Sequence, residues 1–149
     1  MTNTIAHSAL LLSLGLTGSC GHSDEGLACI SDDDCDDRCS RVGECLTASS
    51  SIEIRLSWTV NQQSPSPSRA DVCGPIRDLE LSFESDSASD ETIVYFPVPC
   101  ELGRVFYDRM PDRLSQVRVT AYGEAETPLT VEFRNIESRS SDFRFDFSL

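Results

Sequence analysis

Lysine is absent from the chain: all 12 basic residues among its 149 are arginines, they face 25 acidic residues, and the formal net charge is −13. Without lysine there is no Walker-type lysine for a phosphate, no Schiff base and no pyridoxal attachment. The negative charge opposes a phosphate backbone as partner, so nucleic acid is not expected. Histidine is nearly absent as well. With only His7 and His22, a Ser/His/Asp triad or a two-histidine zinc site has almost no material. No Gly-x-Ser-x-Gly elbow and no G-x-G-x-x-G loop occurs, and no cofactor is implied. The apolar run at residues 9–16 (ALLLSLGL) falls well short of the roughly 20 residues a spanning helix needs. What remains has the size of one moderate domain and is acidic and cysteine-containing.

The short apolar run fits the core of a signal peptide over residues 1–19. Directly after it comes Leu16-Thr17-Gly18-Ser19-Cys20, which resembles the lipobox of bacterial lipoproteins. That resemblance implies a diacylglycerol on the Cys20 thiol, cleavage before it and acylation of the new amine, palmitate being the usual type of chain. Two departures stand out: residues 1–8 contain no lysine or arginine, and Leu16 lies four positions before the cysteine, where three is more usual. Gly21 rather than an aspartate follows, so by resemblance to enterobacterial lipoproteins the inner-membrane retention signal is missing and the outer membrane is the expected destination. Three acyl chains exceed the about two that stable anchoring requires. The cysteine count agrees: seven is odd, an exported chain rarely leaves a reactive thiol, and assigning Cys20 to lipid leaves six for bridges. Residues 20–28 then form the anchor and tether.

Residues 29–45 read CISDDDCDDRCSRVGEC. With Ile30 and Val42 as its apolar side chains, this stretch cannot bury enough surface to offset its ordering entropy, so cross-links must hold it. Its opening, Cys29, Ser31, Asp32, Asp34 and Cys35, resembles short cysteine-rich segments that follow the anchor in predicted Gram-negative lipoproteins, and also Dickkopf-type cysteine repeats of secreted animal proteins. Both imply a disulfide knot and no activity. A calcium-dependent adhesion module is the alternative: Asp32, Asp34 and Asp36 match the first positions of an EF-hand loop. The match then breaks at Asp37, where glycine is needed, and at Gly43, where a bidentate glutamate is needed. Four cysteines could hold zinc, but the paired Cys-x2-Cys spacing is missing and an exported chain favours disulfides.

Residues 46–51 (LTASSS) read as a polar linker, and beyond them the pattern changes to period two. Ile52, Ile54, Leu56, Trp58 and Val60 alternate with polar residues, as expected of a strand wet on one face. Similar runs follow at Leu79–Phe83, Val94–Val98, Val117–Ala121, Leu129–Phe133 and Phe143–Phe147, with a shorter candidate at Val105–Tyr107. Turn signals separate them, so residues 52–149 are expected to form an all-β, antiparallel sandwich of immunoglobulin-like or transthyretin-like kind. A Trp-Thr strand and a Pro-Cys pair give it a likeness to the sandwich domain of the same predicted lipoproteins. Six cysteines allow many pairings. The linker divides them into four and two, and the expected bridges are Cys73–Cys100 and, within the first group, Cys29–Cys39 with Cys35–Cys45, although the sequence does not choose among pairings there.

Chemistry is sparse in the sandwich. Trp58 shares parity with the core residues of its strand. Tyr95, Tyr107 and Tyr122 are candidates for outward stacking edges. Arg104, Arg109 and Arg113 near Asp108 and Asp112 read either as an anion site or as exposed ion pairs on a loop. Glu80, Glu84, Asp86, Asp90 and Glu91 supply carboxylates for a hydrolase without any spacing that separates acid from base. The expectation is therefore a lipid-anchored envelope protein that acts by contact, its partner an envelope or surface protein or a glycan, with a carboxylate-based hydrolase as the remote alternative.

Overall fold

A computed structural model describes residues 29–86, 92–137 and 140–149. Cys20, the signal peptide and the tether lie outside these residues, as do Asp90 and Glu91. The cysteine-rich segment forms a two-stranded ribbon, β1 (Arg38–Cys39) with β2 (Cys45–Leu46). Seven strands then build a sandwich: β3 (Ser51–Val60), β4 (Asp78–Ser85), β5 (Thr92–Pro99), β6 (Arg104–Pro111), β7 (Leu114–Tyr122), β8 (Pro128–Asn135) and β9 (Ser140–Phe147). One sheet has the order β6-β3-β9, the other β5-β4-β7-β8. Every pairing is antiparallel except β3 with β9, where the last strand returns beside the first in the same direction. Short 3-10 turns serve as connections, including Ala48–Ser50 in the linker, where the Ser50 hydroxyl accepts from the Thr47 amide at 2.9 Å.

The core follows strand parity. Ile52, Ile54, Leu56, Trp58 and Val60 of β3 are buried, and they meet Leu79, Leu81 and Phe83 of β4, Val117 and Val119 of β7 and Phe145 and Phe147 of β9 between the sheets. Each such side chain contributes about 1.5–3 kcal/mol of burial. Trp58, 1% exposed, donates its indole N–H to the Cys100 carbonyl at 2.7 Å, which satisfies its one polar atom. Cys100 is bonded to Cys73 and closes the same end.

Two apolar sets do not face the core. Leu129, Val131 and Phe133 of β8 alternate as a core face should, yet Val131 is 53% and Phe133 61% exposed. The register with β7 decides this: Arg118 pairs with Phe133 and Thr120 with Val131, while the buried Val117 and Val119 sit opposite Arg134 and Glu132. β8 thus turns its charged side toward the sandwich rim, where the Arg134 guanidinium lies 5.1 Å from the Phe145 ring centre. On β5 an irregularity opposite Glu80 breaks the alternation, so Val98 is buried whereas Val94 and Phe96 lie outside.

Candidate functional site

The cysteine-rich segment is docked against the sandwich by ion pairs. Between the pairs Ile54–Tyr107 and Ile52–Met110, β6 carries one more residue than β3, a bulge that re-aims the side chains of Asp108 and Arg109. The Asp108 carboxylate takes the Arg41 guanidinium at 2.7–2.8 Å, and the Arg41 amide donates to the Arg109 carbonyl at 3.1 Å. Arg109 reaches Asp32 at 2.6 Å, while its buried Nε lies 3.5 Å from Asp108 without a hydrogen bond. Arg113 grips Glu44 through both terminal nitrogens. Burial pushes the Asp108 carboxyl up, but the hydrogen bond from Arg41, its own amide and the Arg41 and Arg109 charges outweigh this and hold it below the usual carboxylate value. The expected cluster of Arg104, Arg109 and Arg113 therefore does not form as one group: two of its members bind this segment, and Arg104 belongs to another face.

The aspartates of the segment act as acceptors for local backbone. Asp32 accepts from the Cys39 amide at 2.9 Å, Asp34 from the Ile30 and Ser31 amides, both at 2.9 Å, and Asp37 from the Ala48 amide at 2.6 Å. The amide of Ile30 and then that of Ser31 lower the Asp34 pKa. Asp32, Asp34 and Asp36 do not bring oxygens together. Among the described residues the one trio of potential metal-binding atoms is the sulfurs of Cys29, Cys35 and Cys39. These sulfurs sit in the Cys29–Cys39 and Cys35–Cys45 bridges, so they are not thiolates.

Of the three candidate tyrosines, two pack against the core and one lies on an outer face. Tyr95 and Tyr107 point inward, with ring centres 4.6 Å apart and Phe83 edge-on to both, and close one side of the core between the sheets. Burial raises both phenol pKa values. Tyr122 is the one on an outer face, its ring against Phe96 and its hydroxyl 3.4 Å from Glu80. Glu84 pairs with Arg118 at 2.6 Å, and Asp86 is exposed at the end of the strand.

The outer face of the three-stranded sheet holds a feature that sequence reasoning missed. Because Leu56 and Trp58 are buried, Ser57 between them faces outward, and so does Arg55. Ser57 pairs with Arg104 of β6 on one side and Arg144 of β9 on the other. The next outward row runs Phe106, Arg55, Asp142 by the same registers. These residues line a cleft of about 550 Å³. The Arg55 guanidinium sits 4.9 Å from the Phe106 ring centre and 3.0 Å from Glu53, with Asp142 at 3.9 Å. A second hollow of about 530 Å³ shares Ser57, Arg104 and Arg144 and is walled by the 64–67 loop. That loop is seated on Gly103, where a Cβ would lie 2.5 Å from the Pro65 carbonyl oxygen. The outward parity of Arg55, Ser57 and Arg144 was legible. Their alignment into rows depends on the parallel return of β9, which no local signal announces.

Compared with known proteins, the chain matches no family model and no curated protein.

Proposed function

We propose that the protein is a lipid-anchored binding module of the cell envelope, held at Cys20 in the outer membrane and presenting its sandwich for contact with a surface partner rather than for catalysis. The observation that carries this reading is the cysteine pairing. Cys29 with Cys39, Cys35 with Cys45 and Cys73 with Cys100 use six of the seven cysteines, which leaves Cys20 no partner in the chain, directly behind an apolar run and a lipobox-like sequence. Geometry adds support. The cysteine-rich segment joins the sandwich at Ser51, and the arginine cleft centres on Ser57, six positions along the same strand, or about 20 Å at the rise of a strand. A chain anchored through that segment holds the cleft toward its far end. Both histidines precede residue 29, so the described residues contain no imidazole that could serve a hydroxyl as a base.

Mass spectrometry of protein extracted from membranes is the test. The expected result is an acylated N-terminal peptide beginning at Cys20, together with release of a Cys20→Ser variant from the membrane fraction. An unmodified, soluble protein beginning at another residue would overturn the proposal.

A further inference from the structure

We infer that the Arg104–Ser57–Arg144 row is a binding site for a small oxyanion carried on an apolar body, a carboxylate or phosphate monoester with an aromatic or aliphatic group attached. The inference rests on the binding-module reading for its setting and names the chemistry of the ligand.

Charge is the first argument. In a chain of net charge −13, arginines have carboxylates close at hand, and Arg38, Arg41, Arg55, Arg77, Arg109, Arg113, Arg118 and Arg134 each lie within 4.0 Å of one. Among the described residues, the Arg104 guanidinium makes neither a hydrogen bond nor an ion pair, and that of Arg144 senses the Asp146 charge only through space. Asp146 is itself held by the Thr59 hydroxyl at 2.7 Å and the Gln62 amide at 3.0 Å. Two exposed guanidiniums thus flank one small residue on the central strand. Their backbones are two strand spacings apart, about 10 Å, a span that two arginine side chains close from opposite sides. Ser57 leaves the space between them open, and its hydroxyl donates to the Phe143 carbonyl at 3.3 Å. Two planar guanidinium forks bordering one cleft suit an oxyanion, which can take paired hydrogen bonds from each.

The second argument concerns the rest of the ligand. Beside the arginine row lies Phe106, half exposed, with Arg55 fixed over its ring by Glu53. Val105 and Phe143 also border the cleft, but they pair with the buried Leu56 and pack against the core, so Phe106 is the apolar side chain the outer face offers. Asp142 stands at the opposite end of the Phe106 row and repels a second negative charge there. The cleft therefore accepts an anionic head over Ser57 and an apolar body directed at Phe106. The field of the whole protein works against polyanions, which separates this ligand from an acidic polysaccharide.

Calorimetric titration of the full chain in neutral detergent tests the inference, with phenyl phosphate, benzoate, inorganic phosphate, benzyl alcohol and heparin as probes. Phenyl phosphate or benzoate is expected to bind saturably, whichever binds tighter identifying the head group as phosphate or carboxylate. Inorganic phosphate should bind at least tenfold more weakly than the tighter of the two, and benzyl alcohol and heparin should not saturate the site. R104Q and R144Q should each weaken the tighter probe about tenfold or more with thermal unfolding unchanged, whereas R118Q, on the other sheet, should leave affinity at the wild-type value. Equal affinity in R104Q, R144Q and the wild type, tighter binding of heparin, or no saturable binding of either aryl anion would overturn the inference. None of these outcomes depends on whether Cys20 is acylated.

Discussion

Arg113 holds Glu44 in a two-pronged contact, at 2.8 and 2.6 Å, and so ties the β6–β7 turn to the cysteine-rich segment. Each side chain keeps only about a third of its exposure (33% and 34%), so the pair is screened less than an ordinary surface ion pair. The contact lies beside Arg109–Asp32 and Arg41–Asp108, and together they give a segment without a core a fixed seat on the sandwich. Glu44→Gln is expected to cost about 1 kcal/mol, read as a melting point lower by roughly 3–6 °C. A double-mutant cycle with Arg113→Gln should return a coupling of that size. Simple additivity of the two changes would show that the contact does not hold the segment.

Gly103 has a left-handed backbone (φ 67°) and lies beneath Pro65, whose carbonyl oxygen would be 2.5 Å from an added Cβ. Gly103→Ala therefore combines the usual cost of a side chain at positive φ with displacement of the 64–67 loop. A loss of about 2 kcal/mol or more in urea unfolding is expected. The loop also walls the hollow next to Arg104, so the same variant should weaken binding of the aryl anion. An unchanged midpoint and affinity would mean that the loop is free to move off its seat.

Acid should weaken the contact between the cysteine-rich segment and the sandwich. The Asp108 carboxyl is held below its ordinary value because Arg41 and Arg109 outweigh the opposing effect of burial, and Asp34 is lowered by the Ile30 and Ser31 amides. For groups lowered in the folded protein, the unfolded chain binds more protons as pH falls past about 3.9. Their contribution is therefore full above that pH and is lost as pH drops through the lower folded values. Melting points should stay level from pH 7 to about 5 and then fall, with a smaller fall in Asp108→Asn. The same acid slope in that variant would remove Asp108 from the explanation.

The strands were legible because period two is local: the alternation at Ile52 to Val60 marks both β3 and its buried face, and each of the other apolar runs also lies on a strand. Which face of a strand meets the core is not local. On β3 the apolar side is the inner one because the strand is central, whereas on β8 the pairing of Val117 with Arg134 and Val119 with Glu132 fixes the opposite choice. The division of the cysteines into four and two follows from the linker, and no bridge crosses it. The arginine cleft was hidden for the same reason as the face of β8. Arg104, Ser57 and Arg144 come from strands far apart in sequence, and only the sheet order places them in one row.

That contrast of faces gives the last prediction. Phe133 and Phe145 both belong to alternating apolar runs, Leu129–Phe133 and Phe143–Phe147, and hydropathy alone treats them alike. Phe133 is 61% exposed and Phe145 fully buried, so their removal must act differently. Phe145→Ala empties a site in the middle of the core and should cost about 3–5 kcal/mol, enough to remove much of the stability of a domain this size. Phe133→Ala leaves no cavity and removes a side chain that water already reaches, so a change within roughly 0.5 kcal/mol is expected. Chemical denaturation of the two variants under identical conditions measures both. Comparable losses would mean that β8 pairs with β7 one residue out of the register described, since a shift of one position carries the whole apolar set of β8 to the inner face.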